Sequence, residues 1–208
     1  MKSLKSILSL SVLAASVFLS SCGEDDPKPE LVATVISNLP ADPATGFDPT
    51  TGQPLGTTGK YKFFSFSAGN VVANTDSATN KWDLGFRGTT IIVNSGVSGP
   101  GSAAAQVYTG IFAELDTAPD AGYNVDGATR AIPTGSGNGW YNATTTQPTI
   151  ITPIAGRFIV LKTAEGKFAK MEILSYYKDA PATPAGTEPA RYYTFRYIYQ
   201  PDGSKNLK

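Results

Sequence analysis

From Leu31 onward, short apolar runs are broken repeatedly by clusters of Gly, Pro, Asn and Asp, and no long stretch shows helical spacing. Such a chain can bury its side chains only by pairing strands. The runs that read as strands are Val32–Ser37, Tyr61–Phe66, Trp82–Phe86, Thr90–Val93, Gln106–Phe112, Arg157–Thr163, Lys167–Tyr177 and Arg191–Gln200. In the last run, side chains alternate across the strand, so Tyr193, Phe195, Tyr197 and Tyr199 share one face, suited to a core. Runs 157–163 and 167–177 are joined by Ala164-Glu165-Gly166, which predicts a β-hairpin with Gly166 in the left-handed region. Phe158–Leu161 is apolar at every position, which predicts a strand covered on both faces. The expected fold is mostly β: a single-domain antiparallel β-sheet protein with long Gly/Pro-rich loops and little helix.

The N-terminus obeys different rules. Lys2 and Lys5 precede an uncharged apolar stretch, Ile7–Leu19, shorter than the ~20 residues needed to span a bilayer. It ends in Leu19-Ser20-Ser21-Cys22, which is similar to a bacterial lipobox. Residues 1–21 are therefore read as a cleaved lipoprotein signal peptide, Cys22 as the acylated residue, and residues 22–30 as a lipidated flexible tether before a β domain over residues 31–208. Glu24-Asp25-Asp26 resembles the acidic cluster that directs some lipoproteins to the outer face of the outer membrane. The lipid bilayer is thus the first expected partner, through Cys22, and the expected location is the outer membrane, cell-surface exposed. Cys22 is the sole cysteine, so the fold is held by packing without a disulfide. The chain has 17 basic and 17 acidic residues, and loss of a leader bearing Lys2 and Lys5 leaves a net charge of −2. That balance offers no footprint for nucleic acid.

The chain contains no histidine. Ser-His-Asp and Cys-His nucleophile systems and His-bearing zinc sites are thereby excluded. Glu114 and Asp116 are the nearest carboxylate pair in the strand-end region, and a solvated loop accounts for them better than glycoside hydrolysis. Gly99-x-Gly101-x-x-Ala104 mimics a dinucleotide turn, but Pro100 lies inside it and a β-favouring run follows where a helix is needed. Asp-Pro-x-Thr-Gly occurs at 42–46 and again at 48–52, predicting back-to-back turns in a surface loop. Two carboxylates there are too few for calcium. Asp-Ser-Ala at 76–78 and Asp-Thr-Ala at 116–118 resemble an O-glycosylation signal, but such pairs are good turn formers and the turn reading is favoured. No metal site and no enzymatic activity are expected. Trp140-Tyr141, flanked by glycines, is a candidate for the lining of a ligand pocket.

Ordered segments then point to a family. Phe63-Phe64-Ser65-Phe66-Ser67, Gly69-Asn70-Val71-Val72, Lys81-Trp82-Asp83-Leu84 and Asn94-Ser95-Gly96 occupy the first half. Pro119-Asp120-Ala121-Gly122-Tyr123, Gly139-Trp140, the hairpin Arg157–Tyr177 and Tyr193-Thr194-Phe195-Arg196-Tyr197 occupy the second. Over about residues 60–200 the chain resembles the HmuY-like haem-binding lipoproteins. The resemblance implies a surface lipoprotein that takes up haem, or a related tetrapyrrole, for iron acquisition and passes it to an outer-membrane transporter. Well-known members hold haem iron between two histidines. Here the corresponding stretches are Gly127–Gly139 and Tyr141-Asn142-Ala143-Thr144-Thr145, so axial ligation is altered or absent. Met171 sits in a strand with Ala169 and Ile173 on its face, a core pattern. Tyrosine is an alternative haem ligand, which makes Tyr108, Tyr123 and Tyr141 candidates beside Trp140. A non-haem ligand or a protein partner of a membrane uptake system is the competing expectation.

Overall fold

Alternation along the strands sorts the apolar residues to two faces, and a computed structural model describing residues 30–51 and 53–208 shows how those faces meet. The signal peptide, Cys22 and all of the tether but Glu30 lie outside the described residues. Among the described residues thirteen strands run in chain order: β1 (Thr34–Pro40), β2 (Gly46–Phe47), β3 (Pro54–Leu55), β4 (Lys62–Ser65), β5 (Asn70–Val72), β6 (Leu84–Arg87), β7 (Thr90–Val93), β8 (Ala104–Thr109), β9 (Tyr141–Ala143), β10 (Ile151–Pro153), β11 (Arg157–Lys162), β12 (Phe168–Tyr177) and β13 (Ala190–Gln200). Among the described residues, helix is confined to two single 3-10 turns, at Asn74–Asp76 and Phe112–Glu114.

A five-stranded sheet ordered β1-β13-β12-β11-β8 faces a four-stranded sheet ordered β5-β4-β6-β7, and every pairing is antiparallel. Phe64, Leu84, Phe86, Ile91 and Val93 of the smaller sheet meet Ile159, Leu161, Met171, Tyr193, Phe195 and Tyr197 of the larger. The Phe64 and Phe195 rings cross edge to face with centroids 5.4 Å apart, an arrangement the ring quadrupoles favour. The mostly β expectation is met, and the face carrying Tyr193, Phe195 and Tyr197 is buried as its alternation predicts.

Strand β11 is covered on both faces. Ile159 and Leu161 enter the inter-sheet core, while Phe158 and Val160 enter a second cluster with Phe112, Ala118, Ile198 and Leu207. That outer layer is held down by Lys170, whose buried ammonium donates to the carbonyls of Phe112 and Leu115 at 2.7 and 2.8 Å. The expected strand Gln106–Phe112 accordingly ends at Thr109, because Phe112 turns back in a 3-10 helix to cover the sheet. Met171 is fully buried in the inter-sheet core.

The repeat at 42–52 forms one turn of its own kind, not two. Asp48 Oδ1 accepts from the N–H of Thr50 and Thr51, at 2.8 Å each, in the turn of the β2–β3 hairpin. Asp42 instead reaches across to Thr58 and Gly59. Ser77 closes the first 3-10 turn, and its carbonyl accepts the Trp82 indole N–H at 3.0 Å, so the 76–78 triplet has a turn role.

Candidate functional site

Both ends of the sandwich follow from the register. Thr34 pairs with Tyr197 and Phe168 with Gln200 at one end; Pro40 pairs with Tyr192 and Tyr177 with Ala190 at the other. At that second end the loops do not close over the core, and a cleft of about 810 Å³ opens. Four separate stretches line it: Ala44–Phe47, the Gly88-Thr89 turn, Gln147–Thr149 with Ile151, and the run from Gly186 to Arg191, above Tyr176 and Tyr177.

The floor is aromatic because β12 ends in adjacent tyrosines at a bulge, where the pairing register shifts between Ser175 and Tyr177. Both rings are buried, and Tyr176 packs against Trp140 and Tyr193 with centroids 5.8 and 5.4 Å apart. Trp140 is fastened from the opposite side. Its indole N–H donates to the Thr89 carbonyl at 3.1 Å, and the Arg157 guanidinium donates to Gly137 and Gly139, fixing the segment before it.

Hydroxyls of the floor are largely committed. Tyr193 donates to the Gly88 carbonyl at 2.8 Å, and Tyr177 accepts the Ile151 N–H at 2.9 Å. Burial pushes Tyr176 and Tyr193 well above the ordinary phenol value, opposed by the nearby positive charge of Arg191. A tyrosinate that could bind ferric iron is therefore disfavoured at Tyr176 and Tyr193. Arg191 holds a left-handed backbone at φ 69° and donates to the Asp42 carbonyl at 2.9 Å. Glu188 is the cleft's carboxylate, and it is turned into its own loop, accepting the N–H groups of Ala185 and Gly186. A smaller hollow of about 280 Å³ lies beside Asp42, Thr58, Tyr61 and Asn74.

The four residues singled out from sequence are not brought together. Trp140 and Tyr141 pack with tilted rings, centroids 4.8 Å apart, inside the inter-sheet core, just beneath the cleft. Tyr108 and Tyr123 join the cluster on the far side of the five-stranded sheet, Tyr108 against Phe158 and Tyr123 against Phe168. Burial pushes the Tyr123 phenol up to about 12. The cleft residues that sequence reasoning passed over are Phe47, Tyr176, Tyr177 and Arg191. Their one local signal was two consecutive tyrosines at the end of a strand, next to a loop rich in Pro and Gly. Among the described residues no cluster of acids suits a metal ion.

A family model described as HmuY protein matches residues 57–197. Among solved structures, a protein from Bacteroides vulgatus described as HmuY-like and haem-binding superposes with a TM-score of 0.50 at 16% identity, over 84% of this chain and 94% of that one. A Bacteroides fragilis protein described as a lipoprotein gives 0.47 at 16% identity, over 81% and 91%. An apo HmuY analogue from Tannerella forsythia gives 0.42 at 13% identity, over 85% and 100%. No curated protein matches the chain.

Proposed function

The chain belongs to the HmuY family, and from that premise we propose that it is a lipid-anchored surface protein that binds haem or a related tetrapyrrole in the cleft above Tyr176 and Tyr177. The observation that carries the reading is the cleft itself. At about 810 Å³ it falls in the range of small-molecule sites, and it combines aromatic walls with a few polar groups. A porphyrin is a flat apolar disc with anionic propionates, and Arg191 at the cleft wall supplies a cation for them.

Iron ligation is the weak part of this site. With no histidine in the chain, the iron-capable side chains of the lining are Tyr176 and Tyr177, and one already accepts a backbone N–H while the other is held neutral by burial. Binding then rests on shape, stacking and the propionates. Oxidised haem, reduced haem and iron-free protoporphyrin should all bind to residues 24–208 with similar affinity, followed by saturable change in the Soret band. Absence of any saturable change would overturn the proposal. A Tyr176→Phe or Tyr141→Phe variant should leave the ferric spectrum unchanged if ligation is absent.

Export, the anchor at Cys22, outer-membrane display and delivery of the ligand to a transporter for iron acquisition are supported by the lipobox-like N-terminus and the family. Binding without chemistry is likewise the family's mode, with no enzymatic step. The competing reading, a non-haem ligand or protein partner of an uptake system, draws on Phe47 and Leu55, which stand 65% and 47% exposed on the β2–β3 hairpin.

A further inference from the structure

The β2–β3 hairpin pairs with no other strand among the described residues. Two strands of two residues each are not stable alone, so the hairpin depends on its root. There the Asp42 carboxylate closes the loop: Oδ1 accepts the Thr58 N–H at 2.7 Å and its hydroxyl at 2.8 Å, and Oδ2 accepts the Gly59 N–H at 2.9 Å. These bonds hold the Asp42 carboxyl below its ordinary value against the opposing effect of desolvation. Arg191 then ties this root to the body through the Asp42 carbonyl. Beyond the root, Ala44–Phe47 form one wall of the cleft, and Phe47 is exposed within it.

A lone exposed phenylalanine is unremarkable on a protein surface. This one shares a cleft with the Tyr176 and Tyr177 rings and with Arg191, which belongs to no salt bridge among the described residues. The charged groups facing Arg191 are the Asp42 carboxylate, which attracts it through space while accepting three hydrogen bonds from Thr58 and Gly59, and Glu188, bonded into its own loop. Aromatic surface on two walls and a cation without a salt-bridge partner fit one ligand chemistry: a planar aromatic body carrying an anion. We infer that the hairpin is a gripping flap, that Phe47 is its specificity residue, and that Arg191 anchors the anion, so the cleft selects planar aromatic anions with or without a metal. The inference rests on the cleft assigned above and not on iron.

The test uses the mature chain with Cys22→Ser, titrated with four probes: haem, iron-free protoporphyrin IX, anilinonaphthalene sulfonate and the uncharged N-phenylnaphthylamine. Phe47→Ala should weaken the three anionic probes by about tenfold, the loss of one stacked ring, while Phe47→Trp retains binding. Leu55→Ala, one position out of phase on the hairpin, should leave it unchanged. Arg191→Lys should weaken the anions and spare the neutral amine; hydrogen exchange of residues 43–57 should slow when an anionic probe is bound. Wild-type affinity in Phe47→Ala, in a variant whose unfolding midpoint is intact, overturns the flap and leaves the haem reading standing. Binding of the sulfonate with the Phe47 dependence, but not of haem, preserves the flap and sinks the haem reading. If no probe binds, both fall.

Discussion

Asp83 shows what one buried carboxylate does for the sandwich. It is 4% exposed, and its two oxygens accept the N–H groups of Phe66 and Ala164, each at 2.8 Å, tying the smaller sheet to the β11–β12 turn. Burial is the largest influence and raises its pKa above 3.8; the two N–H groups only partly offset it. A raised folded value means stability is fully present below the unfolded pKa and is lost as pH rises through the folded one. The stability difference between wild type and Asp83→Asn, followed by urea unfolding from pH 3 to pH 7, should therefore shift against the wild type as pH rises. Asp83→Ala should cost about 3 kcal/mol near pH 4, since two buried N–H groups lose their acceptor. An unfolding midpoint unchanged by that substitution would remove Asp83 from the structural core. Neither role was legible in the sequence, where Asp83 follows Trp82 as one acid among 17.

Elements were the most legible scale. Thr90–Val93 forms at the predicted bounds, and the 157–163 and 167–177 runs pair as a hairpin, shorter by one residue at each inner end. Gly166 takes φ 81°, and the nearest atom to an added Cβ would be the flexible Lys162 side chain at 3.7 Å. Gly166→Ala should thus cost about 1–2 kcal/mol from backbone strain alone, measured by chemical denaturation; a neutral result would show that the turn relaxes. Gly85 is a different case with φ in the ordinary region: a Cβ there would lie 2.8 Å from Ile92 and 3.1 Å from Phe63, which converge over it beside Trp82. Boundaries drifted where another part of the chain intervened. The first strand starts at Thr34 and runs to Pro40 through a bulge at which Asn38, at φ 57°, exchanges hydrogen bonds with Asp179. A partner 141 residues away cannot be read from local alternation.

For the whole molecule, the register sets a polarity. The chain enters β1 at the end where Thr34 meets Tyr197, whereas the cleft opens at the end where Tyr177 meets Ala190. Along β13 the run from Ala190 to Tyr197 separates these ends by about 23 Å. A tether leading from Cys22 to β1 would hold the entry end toward the membrane and present the cleft outward. On intact cells a bulky polymer-linked maleimide should react faster with Thr146→Cys, exposed in the cleft loop, than with Ser204→Cys, exposed beyond β13, in a Cys22-anchored background. Equal rates would refute this orientation. By itself the sequence determined the β class, the two-sided burial of β11, the exclusion of histidine chemistry and the family, because period-two alternation and residue inventory are local properties. Only the tertiary structure placed Phe47, Tyr176, Tyr177 and Arg191 around one cleft and sent Tyr108 and Tyr123 to the opposite side of the sheet. The physical reason is that a cleft forms where loops from distant segments fail to fill the end of a core, as where Arg191 meets Asp42 across 149 residues.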